Sequence, residues 1–169
     1  MRVSDSEAAE LVATAHALAD AARAATLLHF RKPGLTADTK EAARFDPVTV
    51  ADRLSEERMR EILSERRPRD GILGEEFDPV AGTSGLTWVL DPIDGTRGYL
   101  SGTPTWGVLI SVRDALGPVY GIIDQPYIGE RFEGGFGRAE MVGPHWTRAL
   151  KTRAPRPLAE CLLMSTFPE

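Results

Sequence analysis

The stretch WVLDPID, residues 88–94, constrains the fold of this chain more than any other. Its apolar beginning predicts a buried strand, and Asp91 follows at the point where that strand runs out. Pro92 holds φ at about −65° and stiffens the turn, so the turn can bring Asp94 back beside Asp91. The sequence therefore predicts a strand that ends at an open crevice, with two carboxylates close together.

The residues that follow favour the binding of an anion. Gly95 lets the backbone approach a ligand closely, and Thr96 is a good N-cap for a short helix predicted over 96–101. The N–H groups at a helix N-terminus favour phosphate. Carboxylates, together with a carbonyl such as that of Ile93, are the ligands that hard cations prefer. A cation site and an anion site so close together indicate a magnesium-bridged phosphate ester.

An isolated DPxDG sequence is also consistent with a turn and a capped helix that bind nothing. Two further acidic clusters count against that interpretation. GEE, residues 74–76, follows another predicted strand, and DPVTVAD, residues 46–52, places Thr49 and Asp52 at the start of a predicted helix. Three acidic clusters at the ends of structural elements are hard to explain as solvated surface.

The order of elements along the chain predicts an α+β fold with a largely antiparallel sheet. Apolar periodicity predicts helices over 4–30 and 50–66, separated by a loop over 35–50. Hairpin-connected strands are predicted over 71–73, 86–90, 105–113, 119–124, 130–133 and 136–142. We expect both helices to pack on the sheet, with Trp88 and Trp106 in the core.

Composition narrows the class of partner. The formal net charge of −5 and the lack of a long basic run argue against nucleic acid or an anionic membrane surface. The lone cysteine, Cys161, which we expect to be buried in a strand, excludes an internal disulfide and favours a reducing cytoplasm. No apolar run approaches the roughly 20 residues that a membrane span needs. The chain is predicted to be a cytoplasmic protein that binds a small molecule.

The three acidic motifs resemble those of the inositol monophosphatase superfamily, the lithium-sensitive, magnesium-dependent phosphatases. GEE, WVLDPIDGT and DPVTVAD carry the resemblance, which extends over nearly the whole chain. GTRGYLSGTPTWGVLISV and GIIDQPYIGERFEGG look most like the histidinol-phosphatase branch. The resemblance implies the N-terminal part of an α/β/α layered sandwich, Mg²⁺ as cofactor and a homodimer. It implies histidinol phosphate as substrate, with inositol monophosphate as the alternative.

The resemblance also implies metal ligands and a base in two of these motifs. Glu75 and Asp91 would hold one metal ion together with the carbonyl of Ile93. Asp91 and Asp94 would hold a second. Glu75 and Thr96 would orient and activate the attacking water, so that no covalent enzyme intermediate forms.

Other positions would support this centre, again by resemblance. The backbone N–H groups of Gly95 and Thr96 would bind the phosphate. The residues expected behind the first ligands, or at a weaker third metal, are Asp52, Glu76 and Thr49. Glu76 has an alternative claim to the role of its neighbour, because one sequence does not fix which glutamate of the pair points inward. Arg97 and Lys40 are candidates for contact with the substrate.

Two alternatives remain open from the residues alone. Haloacid-dehalogenase-type phosphatases also carry an apolar strand followed by Asp-x-Asp-Gly-Thr, with the first aspartate as nucleophile. Here two residues separate the acids rather than one, which would put the second acid in the wrong place. A non-catalytic, metal-binding or regulatory member of the same fold is the other alternative, and the intact acidic set argues against it.

The last residues raise a question of domain organisation. TRAPRP, residues 152–157, is typical of a linker, and CLLMSTF, residues 161–167, is typical of a new strand. Members of the resembled superfamily carry a further metal-ligating aspartate in a Trp-Asp motif of a C-terminal half, and no acid after Asp94 follows a tryptophan here. We therefore expect residues 1–155 to form an N-terminal metal-phosphatase domain, and residues 156–169 to begin a second domain that is cut short.

Overall fold

A computed structural model describes residues 3–41 and 44–164 of the protein. In chain order its elements are α1 (Asp5–His29), β1 (Ala37–Glu41), β2 (Arg44–Thr49), α2 (Val50–Arg66), β3 (Gly71–Gly74), β4 (Thr87–Asp94), α3 (Thr96–Ser101), β5 (Gly107–Asp114), β6 (Gly117–Gln125), β7 (Glu130–Gly135), β8 (Arg138–Gly143), β9 (Trp146–Ala149) and a 3₁₀ turn, Leu158–Glu160. No helix of the described residues is long and apolar enough to cross a membrane.

The helices α1 and α2 each begin at a side-chain cap. The Ser4 hydroxyl accepts a hydrogen bond from the N–H of Glu7 at the start of α1. At the start of α2 the Thr49 hydroxyl accepts from the N–H of Ala51, and the Asp52 carboxylate accepts from the N–H of Thr49. These bonds satisfy N–H groups that have no partner inside the helix, and they fix the position of Asp52 at the head of α2.

The strands β3 to β9 form a sheet in that order, and β3 with β4 is its parallel pair. The neighbouring pairs from β4 to β9 are antiparallel. Short turns connect the strands from β5 to β9, whereas α3 lies between β4 and β5. The α+β prediction with a largely antiparallel sheet is confirmed. The parallel pair has a consequence for function, because the carboxyl ends of two parallel strands lie at the same edge of a sheet.

The hydrophobic core lies between the helices and one face of the sheet. Helix α1 packs on β5 and β6, and α2 packs on β4. The larger side chains of this core are Leu11, Leu18, Met59, Leu63, Trp88, Leu90, Val108, Ile110, Val112, Tyr120 and Ile122. The Trp88 indole N–H donates to the Asp70 carboxylate at 3.0 Å, so the buried ring leaves no unpaired donor. Trp106 belongs to a second buried cluster with Phe30 and Tyr99, and the prediction that both tryptophans are core residues is confirmed.

The region between the two helices was predicted as a loop over 35–50, and that prediction is wrong. Strands β1 and β2 pair there as an antiparallel hairpin, separate from the main sheet. The segment carries several charged residues and Pro47, so no apolar alternation marks it as a strand pair. Strand β9 escaped prediction for the same reason, since its four residues are all exposed.

The end of the described chain also differs from expectation. Residues 161–164 form no strand, and the side chains of Leu162 and Leu163 are 86% and 93% exposed. Cys161 is exposed rather than buried. An apolar run becomes a strand only where a neighbouring strand supplies partners for its backbone groups, and no described strand lies beside this run. Residues 165–167 of the predicted strand lie outside the described residues.

Candidate active site

The ends of β3 and β4 bring two of the acidic motifs together. Gly74 is paired with Leu90 in the parallel ladder, so Glu75, which follows β3, and Asp91, which continues β4, lie at the same end of this strand pair. Their carboxyl groups lie within hydrogen-bonding reach of each other. The strand topology thus brings GEE next to DPID, as the sequence led us to expect.

A β-bulge adds Asp94 to this pair. Residues three apart on a regular strand point to opposite faces of the sheet. Here Asp91 lies opposite Leu109 and Asp94 opposite Gly107, so β4 uses three steps where β5 uses two. The extra residue returns the two aspartates to one face. The charge of Asp94 acts on Asp91, so the two aspartates are near each other as predicted, but a bulge within β4 brings them together rather than a turn after a strand that ends at residue 90.

Gly95 makes the turn from β4 into α3. Its φ is 86°, a left-handed conformation, and a Cβ there would lie 2.9 Å from the carbonyl oxygen of Thr105. Only glycine combines that φ with so close a backbone approach. Gly95 rather than Thr96 is therefore the N-cap of α3, and the predicted role of Thr96 as a cap is wrong. The Thr96 hydroxyl instead donates to the carbonyl of Ile93 at 3.1 Å.

Asp91 occupies an unfavourable position for a negative charge. Burial is the main reason that its pKa is raised to about 8, and the neighbouring carboxylates of Glu75 and Asp94 raise the pKa further. Its Oδ1 atom is buried and has no hydrogen-bond partner in the described part of the chain. A buried carboxylate oxygen without a donor, surrounded by other carboxylates, is an environment that a bound cation would satisfy.

Asp52 brings the third acidic motif to the same region. Its Oδ2 atom accepts from the backbone N–H and from the hydroxyl of Thr49, at 2.8 and 2.5 Å. Burial raises the pKa of Asp52, the Thr49 bonds oppose that shift, and the charge of Glu75 adds to it. Glu75 is thus within electrostatic range of both Asp52 and Asp91, and it links the three motifs.

The two glutamates of GEE have different surroundings. The Glu75 side chain hydrogen-bonds with Asp91, whereas the backbone N–H of Glu76 donates to the carboxylate of Glu56 at 2.8 Å. The sequence left open which glutamate points towards the aspartates. In the structure, Glu75 is the one that contacts Asp91.

The side chains alone do not make a compact metal cluster. Within residues 3–41 and 44–164, no group of three or more His, Cys, Asp or Glu side chains is arranged to hold a metal ion. Glu75 and Asp94 are exposed, while Asp91 is partly buried. A metal at this edge of the sheet would therefore need oxygen ligands beyond the carboxylates, for which the Ile93 carbonyl is a candidate.

The remaining predicted site residues lie in different situations. Arg97 is exposed at the second position of α3. The side chain of Lys40 lies outside the described part of the structure. Sequence analysis missed Glu56, a fully buried acid in α2 that contacts the turn after β3. Its spacing of four from Asp52 puts both acids on one face of α2, and that spacing was a signal that could have revealed it.

Comparison with known proteins shows the family of this fold and site. The model of the inositol monophosphatase family matches residues 7–168, and the chain belongs to this family. It is 46% identical over 122 residues to the histidinol-phosphatase of Streptomyces coelicolor, an alignment that covers 70% of this chain and 45% of the relative. It is 35% identical over 136 residues to the inositol-1-monophosphatase of Caulobacter vibrioides, covering 79% and 52%.

A solved structure gives the same result for the fold. The inositol monophosphatase from Zymomonas mobilis matches with a TM-score of 0.68 at 40% identity, covering 86% of this chain and 53% of that one. The chain spans about half the length of the curated relatives described above. The predicted family and fold class are confirmed, and family membership argues against the haloacid-dehalogenase alternative.

Proposed function

We propose that this chain provides the metal- and phosphate-binding part of a Mg²⁺-dependent phosphomonoesterase that acts on histidinol phosphate. The observation that carries the proposal is the buried Oδ1 atom of Asp91, which lacks a hydrogen-bond donor in the described chain while Glu75 and Asp94 add negative charge around it. Carboxylates that lie close together at one end of β3 and β4, with burial raising the pKa of Asp91, favour the binding of a cation.

The ligand assignment is the one that the family resemblance implies. Glu75, Asp91 and the Ile93 carbonyl would hold one Mg²⁺, and Asp91 with Asp94 a second. When bound, Mg²⁺ offsets the charge of the phosphate dianion, makes a nearby water more acidic and stabilises the leaving oxygen. Thr49 holds Asp52 at the head of α2, where Asp52 would support a weaker third metal through water and act on Glu75 through its charge.

The protein's own groups would perform the proton transfer and bind the phosphate. Glu75 takes the proton of the attacking water, an effect worth about 10²–10⁴ in rate, and the Thr96 hydroxyl orients that water. The phosphate binds at the backbone N–H groups of Gly95 and Thr96, where no side chain of the described residues caps α3. Arg97, exposed on α3, and Lys40 contact the leaving group.

The choice of substrate rests on the relatives. The name histidinol-phosphatase belongs to a relative that is 46% identical to this chain, which favours histidinol phosphate. The name inositol-1-monophosphatase belongs to another relative at 35% identity, which keeps inositol 1-phosphate as the second candidate. A cytoplasmic location and a homodimer remain predictions.

Phosphate release from a small panel of esters tests both steps of the proposal. The panel contains histidinol phosphate, inositol 1-phosphate, fructose 1,6-bisphosphate and 3′-phosphoadenosine 5′-phosphate, each with and without Mg²⁺. We expect Mg²⁺-dependent release that is fastest with histidinol phosphate. Preference for the nucleotide would refute the substrate, and Mg²⁺ binding without hydrolysis of any ester would favour a non-catalytic family member.

A further inference from the structure

Glu56 is a buried charge whose position the proposed chemistry does not explain. It lies in the middle of α2 with no exposed surface. Carboxylates are almost never fully buried unless they are paired. Its Oε1 atom accepts from Nε of Arg60 at 2.8 Å, and its Oε2 atom accepts from the backbone N–H of Glu76 at 2.8 Å. One oxygen therefore bonds within α2, and the other bonds the turn that carries Glu75.

Gly74 shows how closely this carboxylate fits the turn. A Cβ at position 74 would lie 1.8 Å from Oε1 of Glu56. The carboxylate thus occupies the volume that any side chain at position 74 would need. The turn after β3 packs against Glu56, and that contact requires glycine at position 74, the last residue of β3.

Arg60 extends the same contact by one residue. Its NH2 group donates to the carbonyl of Phe77 at 3.0 Å, and its guanidinium lies 5.6 Å from the centre of the Phe77 ring. The same guanidinium neutralises Glu56. Together the two side chains of α2 bond the backbone at positions 76 and 77, immediately after Glu75.

We propose that Glu56, supported by Arg60, is a positioning residue that sets the direction of the Glu75 side chain at the metal site. This inference rests on the proposed function, because it gives Glu75 the role of a Mg²⁺ ligand. Glu75 is exposed, so the backbone of its turn, together with its side-chain hydrogen bond to Asp91, sets its direction. Groups that orient a metal ligand in this way typically change metal affinity by 10–100-fold when they are lost.

Mg²⁺ binding to the full chain tests the inference without using activity. Thermal melts at increasing Mg²⁺ give a half-saturating concentration, because a ligand that binds the folded state raises the melting temperature. Arg60 and Glu76 donate to different oxygens of Glu56. In Glu56→Gln one of these oxygens becomes an NH2 group, which cannot accept from the donor that it faces, although the size of the side chain is kept. We expect the half-saturating Mg²⁺ concentration to rise by about 10–100-fold.

The matched control is Glu61→Gln. Glu61 is also a glutamate of α2 paired with an arginine, Arg58, but this pair is exposed. We expect its Mg²⁺ midpoint to equal that of the wild type. Arg60→Lys keeps a positive charge but loses the forked contact with Glu56 and Phe77, so it should raise the midpoint by a smaller factor. This second variant decides the matter if Glu56→Gln does not fold.

The outcomes separate this inference from the function on which it rests. A wild-type protein that shows no Mg²⁺-dependent stabilisation overturns the proposed function, and the inference with it. A wild-type response that folded Glu56→Gln retains within twofold overturns the inference alone, and so does an unchanged midpoint in Arg60→Lys. A raised midpoint, with the substrate KM at saturating Mg²⁺ unchanged and kcat reduced, supports a positioning role over a general loss of stability.

Discussion

Two acidic clusters of the sheet, around Asp124 and around Asp91, differ in the charge of the neighbours that the structure describes. On the sheet beneath α1, Asp124 is fully buried and bonds Arg23 through both of its oxygens, at 2.6 and 3.0 Å, and Arg131 at 2.8 Å. At the ends of β3 and β4, Asp91 has Glu75 and Asp94 as neighbours instead. Guanidinium groups bond the first acid, whereas the described neighbours that raise the pKa of the second are carboxylates.

The difference shows which buried acid indicates function. Arg131 also bonds Asp20 and Nδ1 of His16, and Nε2 of His16 lies 2.7 Å from Glu133, so the Asp124 cluster ties α1 to β6 and β7. Charges that are paired in this way are explained by the contacts they make between elements of the fold. Asp91 differs, because burial and the neighbouring carboxylates make its negative charge destabilising until a cation binds.

The largest effect should come from Glu75, which contacts Asp91 in the acidic cluster. Glu75→Gln is expected to reduce kcat by about 10²–10⁴, because the amide cannot take a proton from water. Steady-state phosphate release at saturating Mg²⁺ measures it. Glu76→Gln is the matched control, since the side chain of Glu75 is the one that contacts Asp91. If Glu76→Gln loses activity while Glu75→Gln retains it, the base is Glu76.

The paired acid should affect stability and not metal binding. Asp124→Asn leaves two guanidinium groups beside a neutral amide, and breaking a buried pair in this way costs about 3–5 kcal/mol in the free energy of unfolding. Urea denaturation without Mg²⁺ measures this loss. Asp20→Asn removes an exposed partner of Arg131 and should cost less than about 1 kcal/mol. Equal losses in the two variants would contradict the comparison.

Asp91→Asn should have the opposite effect on metal-free protein. The pKa of Asp91 is raised to about 8 in the folded state, mainly by burial, while an unfolded aspartate titrates near about 4. Between these values the unfolded chain binds fewer protons than the folded chain, so wild-type stability falls as pH rises from about 4 to about 8. Asparagine removes that loss.

The measurement is the melting temperature of Asp91→Asn relative to the wild type, in chelator, at pH 5 and pH 8. The advantage of the variant should grow with pH, and excess Mg²⁺ should reverse it in favour of the wild type. Asp78→Asn, at an exposed position in the connection between β3 and β4, serves as control and should show no such trend. If the melting temperatures of Asp91→Asn and the wild type change with pH in parallel, ionisation of Asp91 does not destabilise the folded protein.

The sequence predicted the acidic cluster better than it predicted what holds the cluster in place. The pattern of an apolar strand, Asp-Pro and glycine correctly put Asp91 near Asp94, because the bulge between them involves only neighbouring residues of one strand. The capping role of Thr96 was wrong, because the φ of Gly95 and its approach to Thr105 depend on the segment that leads into β5. The spacing of Glu56 from Asp52 is visible in the sequence, but its bond to the backbone N–H of Glu76 is not, because that partner lies 20 residues away in a turn.

The smallest predicted effect compares the caps of α1 and α2. Ser4→Ala and Thr49→Ala each remove a side-chain cap, and each should cost about 1 kcal/mol in the free energy of unfolding. Thr49 also donates to Asp52, which lies within electrostatic range of Glu75, whereas the contact of Ser4 is with the exposed first turn of α1.

Only Thr49→Ala should therefore change metal binding, even though both variants lose similar stability. Its half-saturating Mg²⁺ concentration, taken from thermal melts, should rise by a few-fold, because Asp52 loses the hydroxyl that holds its Oδ2 atom in place. Thr49→Ser keeps that hydroxyl and should restore the wild-type midpoint. If Ser4→Ala shifts the midpoint equally, the effect is one of general stability, and the cap of α2 has no special connection to the acidic cluster.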